Sequence, residues 1–165
     1  VPRFNNPPVN LVAVSPSPEQ FAEWQDHHAR EYARDKVANG TWPEAEALSR
    51  AQADNQSLLP RGLDTTGHQI HRVQSADTQE LVGWIWVGLA PDESAESGWL
   101  YDIEIVPEHR GQGYGRAVLQ LAETSARELG CTRLGLHVFA QNAVARQLYE
   151  NSGFELTGLN FAKTL

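Results

Sequence analysis

The sequence predicts an α+β fold, and three observations carry that expectation. The chain of 165 residues has room for one core of ordinary size. Two long β-like runs, at 68–74 and 80–90, sit together in its middle, and strand and helix patterns alternate through its last third. Hydrophobic residues make up 41% and charged residues 21%, with five Trp, five Phe and four Tyr, which is enough to pack a core and too much for a disordered chain. One domain over 1–165 is therefore the expectation.

Each element has its own signal. After Pro2, Pro7 and Pro8, the apolar run Val9 to Val14 reads as a first strand, stopped by Ser15-Pro16-Ser17-Pro18. Ser17 with Gln20 forms a capping box, Pro18 takes the first helical position, and Phe21, Trp24, His28 and Tyr32 recur at helical spacing toward Val37, before Asn39-Gly40. Thr41 with Glu44 repeats the cap signal for a second helix that ends at Pro60. The two β-like runs are separated by Ser75 to Gln79 and read as a hairpin. An acidic loop, 91–98, precedes a strand at 99–106 that stops at Pro107. A helix at 114–129 closes on Gly130, a strand spans 133–139, a helix 142–150, and an extended segment runs from Phe154 to Leu165.

The charge balance is 13 basic against 21 acidic residues, net −8, and residues 1–100 hold −7 of it. That distribution excludes a broad nucleic-acid surface, permits a cationic substrate, and is most simply a device for solubility. No apolar stretch is long enough to span a membrane and the N-terminal residues lack a signal-peptide pattern, so a cytoplasmic protein is expected. A lone cysteine, Cys131, excludes an internal disulfide and is expected to act as a small buried hydrophobe in a reducing cytosol. The six His show no ligand spacing, and no metal is expected.

The chemistry concentrates in Pro107-Glu108-His109-Arg110-Gly111-Gln112-Gly113-Tyr114-Gly115-Arg116, between a predicted strand and a predicted helix. Such a turn presents unpaired N–H groups and the positive end of a helix dipole to an anion, with two arginines adding charge. The dinucleotide fingerprint fails, because Arg116 or Val118 stands where its third glycine belongs, and a Walker loop fails because Arg116-Ala117 replaces Lys-Ser/Thr.

Arg110-x-x-Gly113-x-Gly115 does resemble the signature of the GNAT superfamily of acetyl-CoA-dependent N-acetyltransferases. A second block, Leu134 through Phe154, is similar to the family's strand, Asn, helix with Leu-Tyr, and Gly-Phe. The detailed resemblance covers about 99–155. It implies a three-layer α/β/α fold on a mixed, mostly antiparallel sheet whose fourth and fifth strands, 99–106 and 133–139, splay apart to admit pantetheine. Splayed strands leave backbone groups unpaired, and an amide-bearing arm satisfies them as an added strand would.

The resemblance further implies acetyl and pantetheine contacts on the backbone of Ile103, Glu104 and Ile105. It implies pyrophosphate contacts on Arg110, Gly111, Gln112, Gly113, Tyr114, Gly115 and Arg116, and a further cofactor contact from Asn142, which is also a natural helix N-cap. Asn142 and Tyr149, seven residues apart, share one helix face. Tyr149 reads as core aromatic or, by resemblance, as the general acid that protonates the departing thiolate. An acceptor amine with a solution pKa of about 10.4 must lose a proton, so a base is needed. The candidates are Asp102 and Glu104, alternating on one strand face, and His137, which stands where some family members carry a catalytic Glu. Asp102 is an alternative holder of the amine. The expected activity is transfer of acetyl from acetyl-CoA to a primary amine, small or protein-borne, by direct attack. The alternative is a non-catalytic acyl-CoA sensor, and a homodimer is compatible with either.

Overall fold

The structure, a computed structural model, describes residues 10–91, 96–161 and 163. The Pro-rich entry through Val9 and the acidic loop residues 92–95 lie outside the described residues. Strand β1 (Leu11–Val14) is followed by helices α1 (Pro18–Ala38) and α2 (Glu44–Leu58), strands β2 (His68–Ser75), β3 (Leu81–Leu89) and β4 (Ser97–Ile105), helix α3 (Tyr114–Glu128), strand β5 (Arg133–Leu136) and helix α4 (Ala143–Glu150). The five strands form one sheet in the order β1-β2-β3-β4-β5, antiparallel except for the parallel pair β4–β5.

Local sequence accounts for the ends of most elements. At α1 the capping box forms in full: the Gln20 N–H donates to Ser17 Oγ at 3.2 Å and the Ser17 N–H donates to Gln20 Oε1 at 2.9 Å. Such a cap is worth about 1 kcal/mol. The predicted Thr41 cap does not form, because Pro43 occupies the N-cap of α2 and Thr41 turns its hydroxyl back to Asn39. Asn142 caps α4, its Oδ1 accepting from the Ala145 N–H at 3.1 Å.

Two apolar layers flank the sheet. On one side α3 presses Val118, Leu119 and Ala122 against Val73, Ile85, Val87 and Leu100. On the other, α1 brings Trp24 onto Ile70, Trp84 and Trp86, and α1 and α2 meet through Ala29, Ala33, Ala47 and Ala51, whose small side chains let the two backbones approach. Cys131 is buried in the α3 layer, and burial pushes its thiol pKa up. The final segment, expected to be extended, joins no sheet among the described residues: residues 154–161 take no ladder partner, and Leu156, Leu159 and Phe161 are exposed. Gly153 follows α4 at φ 89°, a left-handed conformation that glycine accepts.

One irregularity positions everything that follows. Opposite β3 the register of β4 slips between Trp86 and Val87, which pair with Asp102 and Leu100, so Tyr101 has no partner. This is a bulge, and it bends the strand. Beyond it β4 leaves β5: only Ser97 to Leu100 pair with Arg133 to Leu136, and Tyr101 through Ile105 have no partner on that side. Strand β5 consequently ends at Leu136 and not at 139.

Candidate active site

The gap between β4 and β5 is bounded by Tyr101–Ile105 on one bank and by residues 137–139 on the other. In a strand paired on one side only, backbone N–H and C=O groups on the other side are left for a ligand or water. Ile103 and Ile105 turn their side chains into the α3 layer, while Asp102 and Glu104 face α1. The predicted shared face of the two acids is therefore present. Trp24 Nε1–H donates to Asp102 Oδ2 at 3.3 Å, and His27 Nε2 lies 2.9 and 3.0 Å from the two Glu104 oxygens.

Past β4, a 3-10 turn (Pro107–His109) leads into the glycine loop. Gly111 at φ 72° and Gly113 at φ 86° take left-handed conformations that other residues resist, with open space where a Cβ would stand. Gly113 is the N-cap of α3. It offers no side chain to the first-turn N–H groups, and that turn holds no acidic residue. The N–H groups and the positive helix end are thus left for an anion. Gly115 has a different use: a Cβ there would lie 3.2 Å from Leu148, so it lets α3 and α4 close on each other. Arg116 is exposed on the first turn, and the Tyr114 ring meets His109 edge-on at 5.4 Å. Gln112 donates to the Glu108 carbonyl at 2.8 Å.

Arg110 is directed elsewhere than the loop. Its Nε donates to the Ile105 carbonyl at 2.8 Å, and its guanidinium stands 3.6 Å from Glu104. Glu104 therefore lies between two basic side chains, Arg110 and His27.

Tyr149 approaches from the opposite layer. It is 8% exposed, its ring is 5.7 Å from Phe154, and burial first, then the Asp102 carboxylate, push its phenol up to about 12. Its hydroxyl makes no hydrogen bond among the described residues. His137 is exposed beyond the end of β5, its ring edge-on to Phe139 at 5.1 Å. The three base candidates are not equivalent: Glu104 and Asp102 are engaged by α1, while His137 stands on the far bank. His27 borders the candidate site through Glu104, and sequence reasoning did not select it. Its only local signal is a place one turn from Trp24 on an otherwise exposed helix face. No group of three or more His, Cys, Asp or Glu side chains that could hold a metal occurs among the described residues, nor does a helix long and apolar enough to cross a membrane.

The sequence profile of the acetyltransferase (GNAT) family matches residues 17–154. The chain belongs to the GNAT acetyltransferase family. This GNAT chain is 34% identical over 147 residues to the uncharacterized N-acetyltransferase YycN of Bacillus subtilis (strain 168), covering 89% of this chain and 94% of YycN. It is 31% identical to YdgE of the same organism, with 89% and 93% covered. The solved structure of YycN superposes with a TM-score of 0.87 at 32% identity, covering 94% of this chain and 99% of that one. The spermidine N-acetyltransferase of Vibrio cholerae, solved with CoA and spermine, shares the GNAT fold at a TM-score of 0.65 and 20% identity, with 90% and 83% covered. The chain is accordingly an acetyltransferase of the GNAT fold, and a binding module without turnover gives way as a description.

Proposed function

We propose that this GNAT protein, as one domain over 1–165, transfers the acetyl group of acetyl-CoA to the primary amine of a small molecule, by direct attack within the β4–β5 gap. The observation that carries the reading is the divergence of β4 from β5 after four residue pairs, with the uncapped N-terminus of α3 following the end of β4. The backbone at Ile103–Ile105, free of strand partners toward β5 although the Ile105 carbonyl takes Arg110, suits the amides of the pantetheine arm, and the N–H groups from Gly111 to Arg116 suit the pyrophosphate. Asn142 is committed to its cap and contributes through the placement of α4.

In the proposed step the lone pair of the amine attacks the thioester carbonyl, a C–N bond forms and the C–S bond breaks. The amine gives up a proton to a base, and the departing sulfur takes one from the Tyr149 phenol. The Tyr149 phenol is protonated at neutral pH and so has a proton to give, while burial, by raising its pKa, also makes it the weaker acid. For the base we favour the His27–Glu104 pair, the carboxylate orienting the imidazole as in other His–carboxylate arrangements, with Asp102 holding the ammonium before deprotonation. His137 is the less favoured base because its ring leans on Phe139 and has no orienting partner among the described residues. A small amine is favoured over a protein amine because a fold neighbour is solved with spermine.

The test is thiol release from acetyl-CoA across a panel of small amines, with calorimetry of CoA binding alongside. Turnover on at least one small amine supports the reading. CoA binding without turnover on any of them, or turnover confined to peptide amines, overturns it.

A further inference from the structure

Lys36 is held in an unusual way for so acidic a chain. Its Nζ stands 5.2 Å from the centre of the Tyr32 ring, 5.3 Å from that of Trp42 and 5.9 Å from that of Phe139. Among the described residues no carboxylate lies within ion-pair distance of it, although Arg30, Arg34 and Arg50 each pair with an acid on their own helix. Ring faces attract a cation through their quadrupole but do not neutralise it, and they accept none of its N–H groups in the strong sense that a carboxylate would. The result is an ammonium fixed in position with its charge and donors still available. The cage is itself rigid: Tyr32 and Trp42 meet edge-on at 5.4 Å, and Tyr32 stacks on His28 at 6.1 Å.

Its position gives the charge a use. Helix α1 crosses the gap: Trp24 and His27 touch Asp102 and Glu104 on the β4 bank, whereas Lys36, near the other end, reaches Phe139 on the β5 bank. His27 and Lys36 are nine positions apart on the helix, about 13.5 Å along the axis. The gap mouth thus has acids on one bank and an unpaired cation on the other. An acceptor that is only an amine uses the first bank alone. An acceptor that also carries a carboxylate satisfies both.

We infer that Lys36, caged by Tyr32, Trp42 and Phe139 and facing the acids of β4 across the gap, binds a carboxylate on the acceptor, so that the preferred acceptors are small amino acids in which amine and carboxylate are several bonds apart. This rests on the amine-transfer reading above and specifies its substrate class. It makes Lys36 a specificity-determining residue, with the aromatic cage positioning it.

The experiment compares twins that differ only in the carboxylate: 4-aminobutyrate, 6-aminohexanoate and lysine, each against its carboxamide. Wild-type kcat/KM should favour the carboxylate by about tenfold or more, the ratio one charge-assisted hydrogen bond supplies. Lys36→Met, similar in length and apolar, should collapse that ratio toward one, and Lys36→Arg should restore part of it. CoA affinity is measured by calorimetry on each variant. The inference is overturned if the wild-type protein does not distinguish the twins, if the ratio survives in Lys36→Met, or if Lys36→Met loses CoA affinity, since the cation would then serve the donor. The wild-type ratio needs no variant to fold. Equal turnover of both twins sinks this inference and leaves amine transfer standing, whereas no turnover of any amine sinks both.

Discussion

Tyr149 and the acids of β4 are the residues on which the proposed chemistry turns, and they were legible to different degrees. The seven-residue spacing from Asn142 put Tyr149 on the inner face of α4, and alternation put Asp102 and Glu104 on one face of β4. His27 and Lys36 were not legible as site residues, because their significance lies in partners 77 and 103 positions away in sequence. Tyr149→Phe is expected to lower kcat about a hundredfold or more while the Kd of acetyl-CoA hardly moves, since proton donation counts in the transition state. Single-turnover kinetics with calorimetry checks this, and a kcat within a few-fold of wild type would make Tyr149 a packing residue. Because the phenol is pushed up to about 12, no falling limb attributable to Tyr149 should appear at mildly alkaline pH. The base is separated by pH profiles of kcat/KM with two acceptors of different amine pKa. A rising limb that is independent of the acceptor should vanish in His27→Gln, survive at a lower maximal rate in Glu104→Gln, and persist in His137→Gln. A limb that only follows the acceptor would mean that the enzyme selects the neutral amine and orients it.

Elements show the same division between local and distant causes. The ends of α1 and α4 were set by residues within a turn of them, Ser17 with Gln20 and Asn142, so they could be read directly. The end of β5 could not. Residues 137–139 carry a strand-like pattern, but the ladder stops at Leu136 because the partner strand bends away, and that bend arises on the far side of β4. The final segment, 154–161, has apolar residues of high β-propensity and no partner to pair with, and propensity without a partner does not make a strand. At the junction of β4 and α3, the glycine loop is tested by matched substitutions. Gly113→Ala and Gly40→Ala place a side chain at φ 86° and 74°, both in open space, so each should cost about 1 kcal/mol of stability through backbone strain. Only Gly113→Ala should also weaken CoA binding, as it obstructs approach to the N–H groups at the start of α3. Thermal melts give the first quantity and calorimetry the second. Equal CoA affinity in the two variants would mean that Gly113 serves only the turn.

At the scale of the whole molecule, stability should depend on pH through two partly buried histidines of β2, one on each face of the sheet. His68 Nδ1 accepts from Trp86 Nε1–H at 3.0 Å on the α1 side, and His71 meets Ser125 of α3 at 3.2 Å on the other. Desolvation lowers both pKa values from the ordinary 6.5, with Glu128 opposing the shift at His71. Below 6.5 the unfolded chain binds protons that the folded one resists, so each group destabilises the fold progressively as pH falls from 7.5 toward 5.5, and contributes no such penalty above that range. The melting temperature should fall across this window. The fall should be smaller in His71→Gln, whose amide keeps a partner for Ser125 without titrating. A melting temperature constant from 7.5 to 5.5, or an undiminished fall in the variant, would exclude His71 as a source.

The missing partner of Tyr101 has one more consequence, a matter of parity. Every residue of β4 before the slip obeys one inside–outside alternation and every residue after it obeys the opposite one. Had Tyr101 paired with Trp86 and the ladder run on without a slip, Asp102 would stand opposite Ile85 and point, with Glu104, into the apolar layer beneath α3. Ile103 and Ile105 would meet Trp24 and His27 instead. The single unpaired residue thus assigns which side of the sheet is charged and which is dry, as well as bending the strand away from β5. Deleting Tyr101 would therefore leave Asp102 opposite Trp86 and keep both surfaces as they are while removing the bend, so the charged face and the divergence from β5 are separable consequences of the one residue.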